Sequence, residues 1–565
     1  MKKVMLEAFP LSESDTTVLH SRRRLPLSWL LATILCTIAL FLDLHHLGES
    51  SIWFDEAFSV ELARQPLAHL WSIIWGPEPN MELYYLLLHF WLAITALFGL
   101  HQTEFVVRLP SAVCAALSVP VVFLLGKRYI GLFPAVLATL LYLLTYWVLA
   151  DAQQARSYAM QLLLLCLSWY MLLRACTDLH DNKRRWMGYV LTTILAIYAH
   201  LFSILVVAAQ IVAVAGLYLL PGQWRHAVRR QGRAFVSSLL VIALLFLASG
   251  LGNMRGSKTG WLSVPHWQDL YNLLISISAG YTFYIHGILF CCIVGMLIIL
   301  LSCCLANIPA IGRFVPEQTK FGKQARAILC CKVYLPTFWV LLCWLLLPIA
   351  ISYVVSQGSL RLFSARYLVV IAPALCLCIG LGIASLRNHG LQVFLACELI
   401  ALAFHVSQLY YREPQVEDWR TPTYWLQQHY HDGDGLVCFD NDEGCQISVE
   451  YYLHAYPISG ARFTADSPGA FSWANYGPAT SGQGARSAVD PHLLAMYGTK
   501  HPRLFFIIGR LPNASEADLA TKAQQWLDSH YHFVDQIVRP AVTVRLYITE
   551  SAEQQASSPS ASRCA

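Results

Sequence analysis

Asp55 and Glu56 stand side by side in the stretch Gly48-Glu49-Ser50-Ser51-Ile52-Trp53-Phe54-Asp55-Glu56-Ala57-Phe58-Ser59, just past the end of the first long apolar run. A carboxylate at such a boundary can take a proton from a hydroxyl, orient a substrate or help hold a cation, because water and ligands reach it. Inside hydrocarbon each charge would cost about 2.5–3.5 kcal/mol even on lenient insertion scales. A plainer role is also open to the pair. Asp often caps helix N-termini, and the stretch can be a solvated loop that opens a helix.

The elements that must position these carboxylates are apolar. Of 565 residues, 56% are hydrophobic and only 13% are charged, against roughly 25% charged in an average soluble domain. The mean hydropathy is +0.50. The chain therefore reads as a polytopic α-helical membrane protein. Its net charge of +5 is no sign of nucleic-acid binding, since the cations lie in short loops between apolar runs and not on one basic face. Most of the 17 cysteines sit inside apolar segments, where they behave as small hydrophobes. Cys438 and Cys445 lie outside those segments, and a local disulfide between them is open if that region is extracytoplasmic.

Twelve apolar segments follow one another: 27–47, 83–99, 109–126, 131–150, 157–173, 188–203, 204–220, 234–251, 284–305, 334–355, 367–386 and 391–410. The first follows Arg22-Arg23-Arg24 and reads as an uncleaved signal anchor. The basic loops Lys127-Arg128, 174–185, 225–233, 313–332 and Arg387 should face the cytoplasm. They all do so only if one early segment fails to cross. Segment 83–99 fits, with Tyr84-Tyr85, His89 and Trp91 in a run of only 17 residues, the lower limit for a spanning helix. About 11 spans and one interfacial helix in the first external loop result. The amino terminus (1–26) is then cytoplasmic, and the Asp55-Glu56 loop and everything after Tyr411 lie outside the cell membrane.

After Tyr411 the composition becomes that of a soluble protein, and residues 412–550 read as a small extracytoplasmic α/β domain. A helix is expected to His429, a strand at 436–439, a helix at 449–453, a long loop over 459–490, a strand at 504–508, a helix at 516–529, and strands at 532–538 and 542–548. The polar residues 551–565 read as a disordered tail.

Several pieces recur in a set order: Trp53-Phe54-Asp55-Glu56-Ala57, Asn80-Met81-Glu82-Leu83-Tyr84-Tyr85, Arg108-Leu109-Pro110-Ser111, Gln154-Ala155-Arg156-Ser157-Tyr158 and Ser364-Ala365-Arg366-Tyr367, with Glu417-Asp418-Trp419-Arg420 in the tail. Over about residues 25–411 this order resembles the C-type superfamily of membrane glycosyltransferases. The likeness is greater to bacterial members related to protein O-mannosyltransferases and lipid A aminoarabinose transferases. The resemblance implies transfer of a hexose or pentose from a polyprenyl-phosphate carrier to a protein, lipid or glycan acceptor on the extracytoplasmic face, with inversion. It implies Asp55 as general base, Glu56 as its tuning or orienting neighbour, and Arg366, Tyr367 and Arg361 about the donor phosphate. Arg255 and Lys258 are weaker candidates for the phosphate. Glu82, Tyr84, Tyr85, Asp151, Arg156 and Tyr158 would line the acceptor or substrate loops.

Two departures bear on a metal. Gln154 stands where relatives often carry an acidic residue, with Asp151 the nearest carboxylate, and Glu82 stands where many carry proline. A divalent cation is thereby neither required nor ruled out, and no other cofactor is implied. His89, His200 and His405 read as satisfied membrane histidines, while Glu398, near the middle of the last span, has the stronger claim to a function, with pairing to an internal hydroxyl or to His405 as its structural alternative. A secondary transporter or lipid flippase would have a similar span count. Such proteins gather charge near the midplane, whereas here only Glu398 sits deep. A sensor with an external α/β domain would leave the first loop without a purpose.

Overall fold

The computed structural model describes residues 27–549 apart from 77, 79, 179–181, 220–222, 251–258, 260–261, 278–280, 307–334, 387, 413–415, 441–443, 477–486 and 512. The terminal segments 1–26 and 551–565, the basic loop 313–332, Arg387, Arg255 and Lys258 fall outside the described residues. All twelve apolar segments are helical. In order the chain forms α1 (Leu27–Leu44), α2 (Phe54–Arg64), α3 (Leu67–Ile74), α4 (Glu82–Leu97), α5 (Glu104–Tyr129), α6 (Leu132–Leu143), α7 (Tyr146–Ala152), α8 (Tyr158–Thr177), α9 (Lys183–Ala199) and α10 (Ser203–Leu219). It continues with α11 (Gln223–Gly250), α12 (Trp267–Ile277), α13 (Thr282–Ala306), α14 (Leu335–Val355), a 3-10 turn at Tyr367–Ile371 running into α15 (Ala372–Ala384), and α16 (His389–Tyr410).

By length and composition, 7 helices among the described residues can cross a membrane, or up to 9 if two bent pairs each count as one span. One of those pairs is α6 and α7, which bend by 56° at Leu144-Thr145. The expectation of about 11 spans exceeds that count because α9 and α10 have only 17 residues each. Helix α4 is a short apolar helix of 16 residues.

Packing divides these helices between two cores. The bundle core joins α1 and α5 through α16, with Trp169 stacked on Trp344 at 5.1 Å. Polar groups inside it find one another, as Ser118 and Tyr142 do at 2.8 Å and Ser168 and Thr193 at 2.7 Å, because an unpaired group in an apolar interior is expensive. Helices α13 and α15 cross at Gly295 and Gly382, where a Cβ on Gly295 would come within 2.2 Å of the Gly382 backbone. Only glycine allows that approach.

The second core caps the bundle. It contains Ile52, Ala57, Val60, Tyr84, Tyr85 and Leu88 of the first loop together with Trp419, Leu436, Tyr452, Phe505 and Leu546 of the carboxyl-terminal region. Helix α4 belongs to this cap, which explains why it is short. The carboxyl-terminal part comprises α17 (Arg420–His429), β1 (Gly435–Phe439), α18 (Gly444–Ala455), α19 (Pro491–Gly498), β2 (Arg503–Ile508), α20 (Ala514–His530), β3 (His532–Arg539) and β4 (Val542–Ile548). The strands lie in the order β1-β2-β4-β3, with β1 parallel to β2 and the other pairs antiparallel. Alternate residues face opposite sides. Leu436, Phe505, Ile507 and Val544 enter the cap core, while Val437, Phe506 and Tyr547 pack against α19 and α20. Cys438 and Cys445 form a disulfide that ties the end of β1 to the start of α18.

Polar contacts fasten this part to the first loop. Arg420 donates to Glu104 at 2.6 Å and to the carbonyls of Gly48, Glu49 and Ser50, and Tyr452 donates to Glu104 while accepting the amide of Ile52 at 2.8 Å. Farther along α2, buried Glu61 pairs with Arg64 and accepts from His454 of α18 at 3.0 Å, one turn from Glu450. Burial pushes Glu450 up to about 7, and the hydrogen bond to Glu61 raises His454. Both shifts have the same sign. Each contributes stability that is complete below the unfolded pKa and is lost as pH rises through the folded one. The cap should therefore hold more firmly at pH 6 than at pH 8, by on the order of 1 kcal/mol, and Glu450→Gln should remove much of the difference. Melting of the solubilised protein across that range checks this, and a midpoint that rises toward pH 8 would contradict it.

Candidate active site

Helix α2 starts where an extended Trp53 meets two acidic residues, which suit the positive end of the helix dipole. The amide of Phe54 donates to Glu417 Oε2 at 3.2 Å, so the tail supplies the cap that the local sequence lacks. Glu417 also accepts from Trp419 Nε1 at 2.9 Å and pairs with Arg510 at 3.3 Å.

Consecutive residues on a helix point about 100° apart, and the two carboxylates consequently have different surroundings. Glu56 points inward with 0% exposure. Its Oε1 accepts from Arg108 Nε and its Oε2 from Arg108 Nη2, both at 2.8 Å, and Oε1 also takes the amide of Ala155 at 2.7 Å. The remaining Arg108 donors go to Leu47 O, Ser50 O, Ser50 Oγ and Ser51 O. A catalytic role for Glu56 is thus corrected on physical grounds. Both its oxygens accept from Arg108 and Oε1 also from residue 155, which commits the carboxylate to holding the first loop to α5 and to residue 155. It is a positioning residue.

Asp55 keeps 25% of its side chain exposed. Its Oδ2 lies 2.9 Å from Arg366 Nη1 and 3.9 Å from Arg156 Nη2. The Arg366 guanidinium is 38% exposed and lies over the Trp53 ring at 4.6 Å. Arg156 holds the backbone beneath, donating from Nη1 to Asp55 O and Ser59 Oγ at 3.1 Å each. The arrangement joins an accessible carboxylate to an accessible guanidinium, two residues that stand 311 positions apart in sequence. One can accept a proton and the other can neutralise a departing anion.

The structure distributes the other candidates unevenly. Tyr367 is buried against Phe202 at 4.3 Å, behind Arg366. Tyr158 lies under Arg156, whose Cζ is 5.9 Å from the ring. Tyr84 and Tyr85 are buried too. Tyr84 Oη meets Ser111 Oγ at 2.9 Å, and Ser111 donates to Arg156 O at 3.1 Å, so Tyr84 supports the site from below. Glu82 is buried at the start of α4 and Asp151 at the end of α7. Neither is open to an acceptor as the loop assignment expected. Arg361 is used locally: it donates to the carbonyls of Ser356, at 2.9 Å, and of Gly358. It shapes the loop before Arg366 through Nη1. Among the described residues no group of three or more His, Cys, Asp or Glu is placed to hold a metal ion.

Sequence reasoning quoted Arg108 without giving it a role and missed the Glu104 and Glu61 clusters altogether. An arginine at the head of the apolar run of α5, far from the Lys127-Arg128 end, was the available signal, since such a charge requires a buried partner.

Residues 86–250 match the family model of dolichyl-phosphate-mannose-protein mannosyltransferase. No curated protein matches the chain. Among solved structures, an oligosaccharyltransferase from Archaeoglobus fulgidus is 13% identical, with 91% of this chain and 73% of that one covered and a TM-score of 0.50. The arabinofuranosyltransferase AftD from Mycobacteria is 12% identical, with 94% and 40% covered and a TM-score of 0.48. ArnT from Cupriavidus metallidurans is 12% identical, with 92% and 98% covered and a TM-score of 0.45. The likeness to the archaeal protein is one of fold, a polytopic bundle of apolar helices carrying a small sheet-containing part.

Proposed function

We propose that this chain is a membrane glycosyltransferase that moves a sugar from a polyprenyl-phosphate carrier to an acceptor hydroxyl on the extracytoplasmic face, with inversion and with Asp55 as general base. The observation that carries the reading is the contact of the accessible Asp55 carboxylate with Arg366 at 2.9 Å, where the cap meets the bundle. The family match over residues 86–250 supports a lipid-linked donor. The disulfide between Cys438 and Cys445 supports an oxidising, extracytoplasmic side for the cap, and with it a cytoplasmic amino terminus in the cell membrane.

In this reading the acceptor oxygen attacks the anomeric carbon as its proton passes to an Asp55 carboxylate oxygen. The bond from that carbon to the phosphate oxygen breaks, and the electron pair leaves with the polyprenyl phosphate. Arg366 pairs with the phosphate, whose geometry suits a guanidinium fork. Its ion pair with Asp55 is partly open to solvent, and exposed pairs are worth only about 0–1 kcal/mol. An arriving phosphate can therefore draw Arg366 away and free the base at the moment the donor is in place. Arg156 fixes the Asp55 backbone, and Glu56 with Arg108 fixes the loop that precedes it.

The test is transfer of labelled sugar from polyprenyl-phosphate donors in membranes carrying the chain. Arg366→Ala should lower kcat/KM about 10²-fold, as loss of a charge-stabilising group does. Arg366→Lys should recover only part of it, because a point charge lacks the fork. Full transfer by Arg366→Ala would remove the phosphate assignment, and no transfer from any such donor by the unaltered chain would remove the reading as a whole.

A further inference from the structure

His200, which the sequence presents as a satisfied membrane histidine, is not satisfied. It sits in the break between α9 and α10, fully buried, and its Nδ1 accepts the amide of Phe202 at 3.3 Å. A neutral imidazole that accepts at Nδ1 carries its proton on Nε2, and that Nε2 has no hydrogen-bond partner among the described residues. Tyr158, the first residue of α8, is equally buried, and its hydroxyl faces the Arg156 guanidinium, which only donates, so the hydroxyl proton has no acceptor among the described residues. The two rings are 5.4 Å apart. Tyr367 completes the cluster at 5.5 Å from His200 and 6.4 Å from Tyr158, and it follows Arg366 in sequence. Arg156 connects the cluster to Asp55, with its Cζ 5.9 Å from the Tyr158 ring and its Nη2 3.9 Å from the carboxylate.

Buried polar groups in folded proteins nearly always find partners, and each exception calls for an explanation. Here two unpaired donors share one aromatic cluster, and that cluster backs onto the only residues assigned to the reaction. Phenylalanine in place of Tyr158 would fill the same space at no polar cost, so the hydroxyl has no packing purpose. We infer that Tyr158 Oη and His200 Nε2 are contacts for the donor substrate, and that they receive an oxygen of the polyprenyl-phosphate sugar, either a sugar hydroxyl or a phosphate oxygen. This rests on the transferase reading. Both groups are neutral hydrogen-bond donors walled by rings, an environment suited to a sugar face, while Arg366 carries the charge of the phosphate.

Two substitutions separate the ligand role from a structural one. Tyr158→Phe removes one oxygen and keeps the ring. His200→Asn keeps an acceptor near the Nδ1 position and loses the Nε2 donor. Affinity would be measured in detergent for two probes, undecaprenyl phosphate and mannosyl undecaprenyl phosphate, together with the melting midpoint. Each variant should bind about 5–10-fold more weakly with Tm unchanged or raised, since an unpaired buried group is removed. Weakening confined to the mannosyl lipid assigns the site to sugar hydroxyls, and weakening toward both lipids assigns it to a phosphate oxygen. Unaltered binding in both variants and in the double variant overturns the inference alone. A lowered Tm in both variants, with or without weaker binding, marks the pair as structural and overturns it as well. If the unaltered chain binds neither lipid, the transferase reading falls and takes this inference with it.

Discussion

Asp55→Asn should reduce sugar transfer by about 10³-fold, within the 10²–10⁴ that a positioned general base contributes, while leaving donor binding intact or stronger. Asparagine keeps the shape of aspartate and can still accept from Arg366, but its amide oxygen cannot take the acceptor's proton. The carboxylate is partly exposed, and no part of the cap core depends on its charge. Tm should therefore stay nearly constant. Removing the carboxylate also releases Arg366 from its competing partner, so affinity for polyprenyl phosphate should not fall. A loss in kcat without a loss in donor affinity is the signature of an interaction made in the transition state. Asp55→Glu moves the carboxylate outward by about one methylene and should recover little, since a displacement of about 1 Å can cost on the order of 10²-fold. Transfer by Asp55→Asn at the unaltered rate would end the assignment. Parallel loss of donor binding would mean that Asp55 holds the donor and does not act as its base.

The bundle was legible because apolar runs of 16 or more residues leave few alternatives, and all twelve are helical, one of them as a broken pair. The errors lie where sequence carries no punctuation. Helices α6 and α7 break at Leu144-Thr145 with neither Gly nor Pro at the break. Helix α11 begins eleven residues before the apolar run at 234, because its basic first turns leave hydrocarbon while remaining helical. In the tail the strands were readable as short runs rich in aliphatic and aromatic residues, and α18 proved longer than the expected 449–453. Helix α19 went unread, although Asp490 followed by Pro491 is a start signal, and Asp490 does accept the amide of His492 at 2.9 Å. The shared cap core could not be read at all. It depends on contacts such as Ser51 with Tyr452, 401 residues apart, which no local pattern encodes. Nor could sequence tell Asp55 from Glu56, since their difference is a rotation about the helix axis that only the position of Arg108 resolves.

That difference makes Arg108 the residue whose loss should cost the fold most. Arg108 is 2% exposed and Glu56 is 0% exposed, so Arg108→Ala leaves a carboxylate uncompensated in the interior. Breaking one side of such a pair costs about 3–5 kcal/mol, a large part of the 5–15 kcal/mol that separates folded from unfolded domains. The variant should express poorly, lose its monodisperse peak in detergent and melt well below the unaltered protein. Glu56→Gln should cost less, because Arg108 keeps its acceptors on Leu47, Ser50 and Ser51 and the glutamine oxygen can still accept from it. Exchanging both partners for apolar residues of similar volume, Arg108→Met with Glu56→Leu, often restores stability at a buried pair. Here it should not restore it fully. The guanidinium also satisfies carbonyls along residues 47–51, and methionine donates to none of them. Those carbonyls shape the turn that leads from α1 to Asp55, so the double variant should regain some Tm while transfer stays low. A double variant with full transfer would show that the turn forms without Arg108. An Arg108→Ala protein with an unchanged midpoint would show that water reaches Glu56, and the distinction drawn between the two carboxylates would then fail.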